Sequence, residues 1–398
     1  MDIVRPAIAG TLESSDCQVT VEKGEGNVDF SMESSVINQY GNQIRKVALE
    51  TLKNLGVSDV KLTIVDKGAL DCTIKARIEA AVYRSVLQGT FTMGRGYPMN
   101  NPNKKRLRRT MMFLNAQKPG LIKDPYIYKP DSIMLDLEDA VAENQKDAAR
   151  FSLYHALKTI NYRGCERVVR INGLDSPYWK EDIRCSVAGG CDSIRIPKTE
   201  SAQDVKLVER EIAYAEKEFG RPEGSVLIMA AVESARGVMK ALDICESSER
   251  LFGIALSGGD YTKDLQTHIT GTGIELMGAR QNLVIAARAA GVQCFDTVYT
   301  DLDNMEGFRQ DVETIHLMGF DGKSIINPRQ INVVHDIYTP KQKDIIFAEK
   351  VVREIDEKKA QGIGVFTVDG KMIDIAFYDG AKRTIALAKA SGVYKGDL

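Results

Sequence analysis

A chain of 398 residues that is 43% hydrophobic and 27% charged has enough apolar material for two or three packed domains. Its formal net charge of -2 offers no basic excess to attract nucleic acid or an anionic membrane, and its apolar stretches are interrupted by charge, so neither is expected as a partner. The seven cysteines include no C-x-x-C pair, and the start lacks an export signal, so they read as reduced thiols of a cytoplasmic protein.

Residues 1–88 read as a small α+β unit. CQVTVEK and NVDFSME alternate as half-buried strands, and residues 36–55 place Ile37, Tyr40, Ile44, Val47 and Leu55 on one side of a helix. DVKLTIVD is a third strand, and residues 72–87 form a second helix carrying Ile74, Ile78, Val82 and Val86. Ahead of the first strand stands GTLESSD, by composition a turn, with Ser14 and Ser15 among acids. Residues 89–103, GTFTMGRGYPMNNPN, have the composition of a linker. The cluster Lys104, Lys105, Arg106, Arg108 and Arg109 then reads as a solvated face, or as a receiver of phosphates.

From Thr110 strands and helices alternate. TMMFL, SIMLDL, RVVRI, SIRIP, VLIMAAV, LFGIAL, QCFDTVY and GKSII are the strands, with helical patterns such as NQKDAARFSLYHALK between them. Eight such units over residues 104–340 predict a closed (β/α)8 barrel of α/β class. An open doubly wound sheet usually shows a G-x-G-x-x-G turn after its first strand, and Leu114-Asn115-Ala116 offers none. The catalytic end should carry Asp136, Glu138, Asp139, Arg170, Asn172, Lys198, Glu233, Asp260 and Asn327.

The stretch SVLIMAAVESARGVMKALDICESSERLFGIALSGGDY is the most informative. It is an apolar strand ending in Glu233, a helix over residues 235–245 with Val238, Met239 and Leu242 on one side, and a second apolar strand leading to Asp260. Two acids at the carboxyl ends of neighbouring parallel strands suit a hard cation. The plainer alternative is that Glu233 caps the helix that follows. The four histidines have no metal-ligand spacing, and there is neither a G-x-S-x-G elbow nor a P-loop. A carboxylate and arginine site remains, suited to an acidic substrate, a magnesium-type cation and an enolate.

Residues 341–398 follow the barrel as a charged helix, the hairpin FTVDGKMI with an Asp-Gly turn, and a last helix carrying Ile385, Leu387 and Ala388. Asp374 stands among Met372, Ile373, Ile375 and Phe377, where a carboxylate is either employed or caps the last helix.

These motifs carry a resemblance. AGTLESSD, VINQYGNQIR and DKGALDCTIKARIEAAVYRS resemble the acyl carrier (gamma) subunit of citrate lyase, whereas LDLEDAV, VVRINGLDSPYW, IRIPKTESAQDV, AAVESARG, GFDGKSIINPRQI and DGKMID resemble its citryl lyase (beta) subunit. Together they cover nearly the whole chain as a fusion of two subunits usually separate. The resemblance implies a covalent phosphoribosyl dephospho-coenzyme A group on Ser14 rather than Ser15. It also implies substrate binding by Arg170 and Glu233, and Mg2+ held by Glu233 and Asp260. Two departures stand out: the first barrel strand is RTMMFLN, altering what is expected to be the rim near Arg109, and Gly259 replaces a glutamate before the metal aspartate.

The implied reaction is cleavage of a citryl-carrier thioester to oxaloacetate and an acetyl thioester. Asp374 is expected as the acid-base residue, on a C-terminal lid folded over a neighbouring barrel. A homo-oligomer and a citrate lyase alpha subunit, the acyl carrier transferase, are the implied partners. Two alternatives are a related lyase acting on free malyl or citramalyl coenzyme A and a scaffold that only docks the carrier.

Overall fold

Short apolar runs bounded by charge form the barrel, because a strand buried on both faces needs no polar alternation. The computed structural model describes residues 1–86, 93, 104–360 and 365–398. The expected linker, residues 89–103, lies outside the described residues except for Met93, which is buried in the barrel's outer apolar layer.

The N-terminal domain is a four-stranded mixed sheet of order β1-β2-β4-β3, built from β1 (Ala7–Ala9), β2 (Cys17–Glu22), β3 (Val28–Ser34) and β4 (Val60–Asp66). Helices α1 (Ile37–Asn54) and α2 (Asp71–Ser85) pack with it. Strand β1, too short to show a period, is an addition to the strands expected from sequence.

The barrel closes in chain order from β5 (Thr110–Asn115) through β6 (Ser132–Asp136), β7 (Glu166–Arg170), β8 (Ser193–Ile196), β9 (Leu227–Val232), β10 (Leu251–Leu256) and β11 (Gln293–Asp296) to β12 (Gly322–Ile325). Every pair is parallel. Around it run α3 (Pro119–Ile122), α4 (Lys146–Thr159), α5 (Trp179–Gly189), α6 (Ala202–Phe219), α7 (Ala235–Met239), α8 (Ala241–Cys245), α9 (Gly258–Asp264), α10 (Met277–Ala290), α11 (Met305–Met318) and α12 (Arg329–Tyr338). Alternate residues such as Ile133, Leu135 and Ile194 join the outer layer, while Met111, Met134, Val168, Met229, Phe252 and Phe295 fill the interior.

Arg108 plugs the foot of the barrel. It is fully buried, donates twice to Glu166 at 2.7 and 2.6 Å, and lies 3.9 Å from the centroid of the Phe252 ring. Arg109, just before β5, is paired with Asp131. The basic cluster is therefore not one solvated face. Arg109 also stands at the opposite end from the catalytic mouth, which corrects the expectation that it borders the site.

The helix expected over residues 235–245 breaks into α7 and α8 at Lys240 (φ -105, ψ 11). The break turns the face, so that Val238, Ala241, Ile244 and Cys245 are buried while Met239 and Leu242 are exposed.

The carrier-type domain docks on the side of the barrel. Helix α2 packs against α4, Ala148 and Phe151 of the barrel join the small domain's core, and Tyr83 stacks on Phe151 with centroids 5.5 Å apart. Arg84 forks onto Asp147, and His155 Nε2 lies 2.7 Å from Glu79 Oε2.

The C-terminal segment comprises α13 (Gln342–Ala360), the hairpin β13 (Val365–Val368) and β14 (Lys371–Asp374), and α14 (Ala376–Ala390). Asp369 and Gly370 are both left-handed (φ 46 and 79), as a two-residue hairpin turn of this kind requires. Val351, Ile355, Val368, Ile373 and Ile385 belong to a separate core that includes no barrel side chain.

Candidate active site

The mouth of the barrel holds a cavity of about 310 Å³ lined by Phe113, Asp136, Arg170, Arg195, Glu233, Ser257 and Asp260, among others. Strand register explains the grouping: Asp136 pairs with Arg170 across β6 and β7, and Arg170 with Arg195 across β7 and β8. The three side chains thus belong to one level of a closed barrel.

Arg170 is anchored by acids. Its Nε and Nη2 donate to Asp136 Oδ1 and Oδ2 at 2.8 and 2.7 Å, and Nη1 lies 2.8 Å from Glu138 Oε2. Lys198 Nζ donates to Glu138 Oε1 at 3.0 Å. Burial pushes the Glu138 carboxyl upward, opposed chiefly by Arg170.

Glu233 directly follows β9 and is 4% exposed, and its Oε1 is buried without a hydrogen-bond partner. It is not the cap of α7: Ser234 accepts from Gly237 N in that role. Burial lifts the Glu233 carboxyl to about 7, with the Arg195 guanidinium the main opposing influence. Asp260 lines the same cavity from the first turn of α9, where the helix N-terminus favours a carboxylate. No group of three or more His, Cys, Asp or Glu that could hold a metal occurs among the described residues. Two acids nonetheless suit magnesium, which commonly takes one or two carboxylates and keeps oxygen ligands from water or substrate. An orphaned, deeply buried carboxylate oxygen is where a hard cation fits.

Of the other residues expected at this end, Asn172 donates to Asp182 Oδ2 and Asn327 Oδ1 accepts from Arg329 N, so both are engaged locally. Asp139 is largely exposed. Arg195 was not singled out from sequence, although an arginine inside the apolar run SIRIP, level with Arg170, is a signal that could have found it.

The turn containing Ser14 meets the loop after β5. Asp16 and Arg77 form a buried bidentate pair at 2.8 and 2.9 Å, and Arg77 Nη2 also donates to Gln117 O at 3.0 Å. Gln117 N donates to Asn115 Oδ1, and Asn115 Nδ2 donates to Ala140 O, a residue of the cavity wall. Lys123 Nζ donates to Ser15 Oγ at 2.9 Å, and a Cβ on Gly120 would lie 3.4 Å from Ser14 O. Ser15 is held; Ser14 is exposed.

Asp374 does not line the cavity. Its Oδ1 accepts from the backbone N of Ala376, the first residue of α14, at 2.9 Å, while the cap position itself is Ile375. Farther along, Arg383 reaches Asp321 at 3.2 Å and Ser391 lies 3.5 Å from Arg109, both contacts being at the foot of the same barrel.

Residues 109–328 match the family described as HpcH/HpaI aldolase/citrate lyase. The citrate lyase subunit beta of Leuconostoc mesenteroides subsp. cremoris is 50% identical over 289 residues, 73% of this chain and 96% of that protein. The chain belongs to the HpcH/HpaI aldolase/citrate lyase family. It is a lyase with an N-terminal acyl carrier domain, residues 4–85 matching the acyl carrier family described as malonate decarboxylase delta subunit (MdcD). A (3S)-malyl-CoA thioesterase of Cereibacter sphaeroides is 30% identical over 286 residues, 72% of this chain and 96% of that protein. The solved structure of protein CitE from Mycobacterium tuberculosis in complex with magnesium, acetoacetate and coenzyme A aligns with a TM-score of 0.58 at 26% identity, covering 72% of this chain and 100% of that one. The departure at Gly259 leaves room in this lyase, since a Cβ there would meet nothing within 4 Å.

Proposed function

We propose that this lyase cleaves a citryl thioester, carried on Ser14 of its own N-terminal domain, into oxaloacetate and an acetyl thioester. The observation that carries this reading is the docking of the Ser14 turn, through Arg77 and Lys123, on the loop bonded to the cavity wall. A lyase for free coenzyme A esters has no use for that arrangement. The exposed Ser14 hydroxyl, beside a Ser15 hydroxyl already held by Lys123, fits a bulky phosphodiester-linked phosphoribosyl dephospho-coenzyme A group.

In the reaction the citryl hydroxyl loses its proton and becomes the ketone of oxaloacetate. The adjacent carbon–carbon bond breaks, its electron pair passes into the enolate of the acetyl thioester, and a proton delivered to the methylene carbon completes the product. Glu233 and Asp260 are the residues to hold Mg2+, which when bound supplies Lewis acidity to the hydroxyl and neighbouring carboxylate. Arg170, fixed by Asp136 and Glu138, presents a pre-oriented guanidinium to the substrate's negative charge. The barrel wall around Glu233 keeps water from the enolate.

Asp374 is the acid proposed to protonate carbon, from a neighbouring subunit. Support comes from the self-contained core of the C-terminal segment and from its anchorage at the foot rather than the mouth of its own barrel. A homo-oligomer follows, together with an alpha subunit of carrier transferase activity to load the arm. The test is oxaloacetate release from citryl-coenzyme A by the Ser14→Ala protein with magnesium, coupled to NADH oxidation by malate dehydrogenase. Release of oxaloacetate supports the reading; cleavage of malyl or citramalyl coenzyme A but not of the citryl ester overturns it.

A further inference from the structure

A buried cation without an acid is costly, because desolvation is not offset by Coulomb attraction. Four cationic side chains among the described residues are less than 2% exposed: Arg77, Arg108, Arg195 and Lys323. Arg77 meets Asp16 at 2.8 Å, Arg108 meets Glu166 at 2.6 Å, and Lys323 meets Asp296 at 2.6 Å. Arg195 has no carboxylate within ion-pair distance among the described residues. Its Nη2 donates to Ser257 Oγ at 2.9 Å, its Nη1 lies 4.0 Å from Met229 Sδ, and its Nε has no partner. The guanidinium also lies 5.3 Å from the centroid of the Phe113 ring, which Arg170 approaches at 5.1 Å.

This under-satisfied cation lines the same cavity as Glu233, Asp260 and Arg170. Burial, and then the charge of nearby Arg170, pulls Arg195 down to about 10, against the opposing charges of Glu233, Glu138 and Asp136, none of which it pairs with directly among the described residues. Arg170, by contrast, already meets Asp136 and Glu138 at 2.7 and 2.8 Å, with Asp139 at 4.0 Å.

Charge matching to the substrate supplies the missing partner. A citryl thioester has two free carboxylates, one beside the hydroxyl and one on the carboxymethyl arm. A malyl or citramalyl thioester has only the first. We propose that Arg195 receives the carboxymethyl carboxylate, and the matching carboxylate of oxaloacetate after cleavage, and so makes the site selective for a substrate with a second free carboxylate. The assignment rests on the citryl lyase reading for the identity of the arm. Its chemistry is that of a planar donor fork meeting a planar acceptor in a dry site.

The experiment measures binding of oxaloacetate and of pyruvate, which lacks the second carboxylate, to the full chain with magnesium by titration calorimetry. Wild type should prefer oxaloacetate. Arg195→Met should weaken oxaloacetate at least about 30-fold and change pyruvate by less than about threefold. Unchanged oxaloacetate affinity, or an equal loss for both ligands, overturns the assignment; an equal loss means that Arg195 only shapes the cavity. If the methionine variant does not fold, Arg195→Lys decides. A loss of about tenfold for oxaloacetate alone supports the assignment, and equal changes in both ligands refute it. An Arg195-dependent preference for oxaloacetate without citryl cleavage would refute the citryl reading and leave Arg195 as the receiver of a second carboxylate. Unimpaired citryl cleavage by Arg195→Met would do the reverse.

Discussion

Glu233→Gln should make the metal-free protein more stable while abolishing its activity. The Glu233 carboxyl is almost fully buried and stands at about 7 in the folded chain against 4.5 for the free side chain, with burial as the main cause. Because the folded value is raised, the associated stability is fully present below about pH 4.5 and is lost as pH rises through about 7. The rise is worth about 3 kcal/mol at pH well above 7 and less than about 1 kcal/mol near pH 5. A neutral glutamine imitates the protonated acid at every pH and escapes that loss. For a barrel of this size about 3 kcal/mol corresponds to a shift in Tm of about 6 °C. Differential scanning calorimetry in EDTA at about pH 8 should therefore show the variant melting higher, with the two curves converging near pH 5. Added magnesium should raise the wild-type Tm and leave Glu233→Gln where it was. A variant that melts at or below wild type at about pH 8, or whose advantage is the same at both pH values, refutes the reasoning.

Magnesium affinity should fall about tenfold for each pH step below 7, because the cation competes with the Glu233 proton; a pH-independent affinity in calorimetry would count against Glu233 as a ligand. Arg170→Lys should lower kcat/KM at least about 100-fold despite the retained charge, since it cannot reproduce the fork on Asp136 together with the Glu138 contact, and activity within about threefold would remove Arg170 as a clamp. Intact mass should show the prosthetic group on wild type and on Ser15→Ala but not on Ser14→Ala; an added mass on Ser14→Ala moves the attachment elsewhere. Asp374→Asn and Glu233→Gln, each inactive alone, should regain partial activity when mixed and allowed to exchange subunits, and no recovery after demonstrated exchange would place Asp374 outside a shared site.

The barrel was legible because its strands are apolar runs with a charge at the end, a pattern that locates both the strand and the site. Glu233 and Asp260 were readable for that reason. Arg195 was passed over because a charged residue inside such a run looks like a strand irregularity until closure of the barrel turns it inward beside Arg170. The split at Lys240 was invisible because Met239 and Leu242 have helical spacing, and only the break directs them outward. The docking of the carrier-type domain rests on Arg77 meeting a backbone carbonyl of Gln117 and on Phe151 entering a foreign core. Neither contact leaves a spacing in the chain. The foot position of Arg109 likewise depends on which end of β5 it precedes, and motif identity does not carry that.

The most direct measurement is the intact mass of the chain bearing a citryl group on its own prosthetic arm, recorded before and after addition of magnesium. The carrier-borne species should lose the mass of oxaloacetic acid and retain an acetyl group, with no loss in the Glu233→Gln chain. An unchanged mass in a wild-type preparation that cleaves free malyl or citramalyl coenzyme A would contradict citryl cleavage on the carrier.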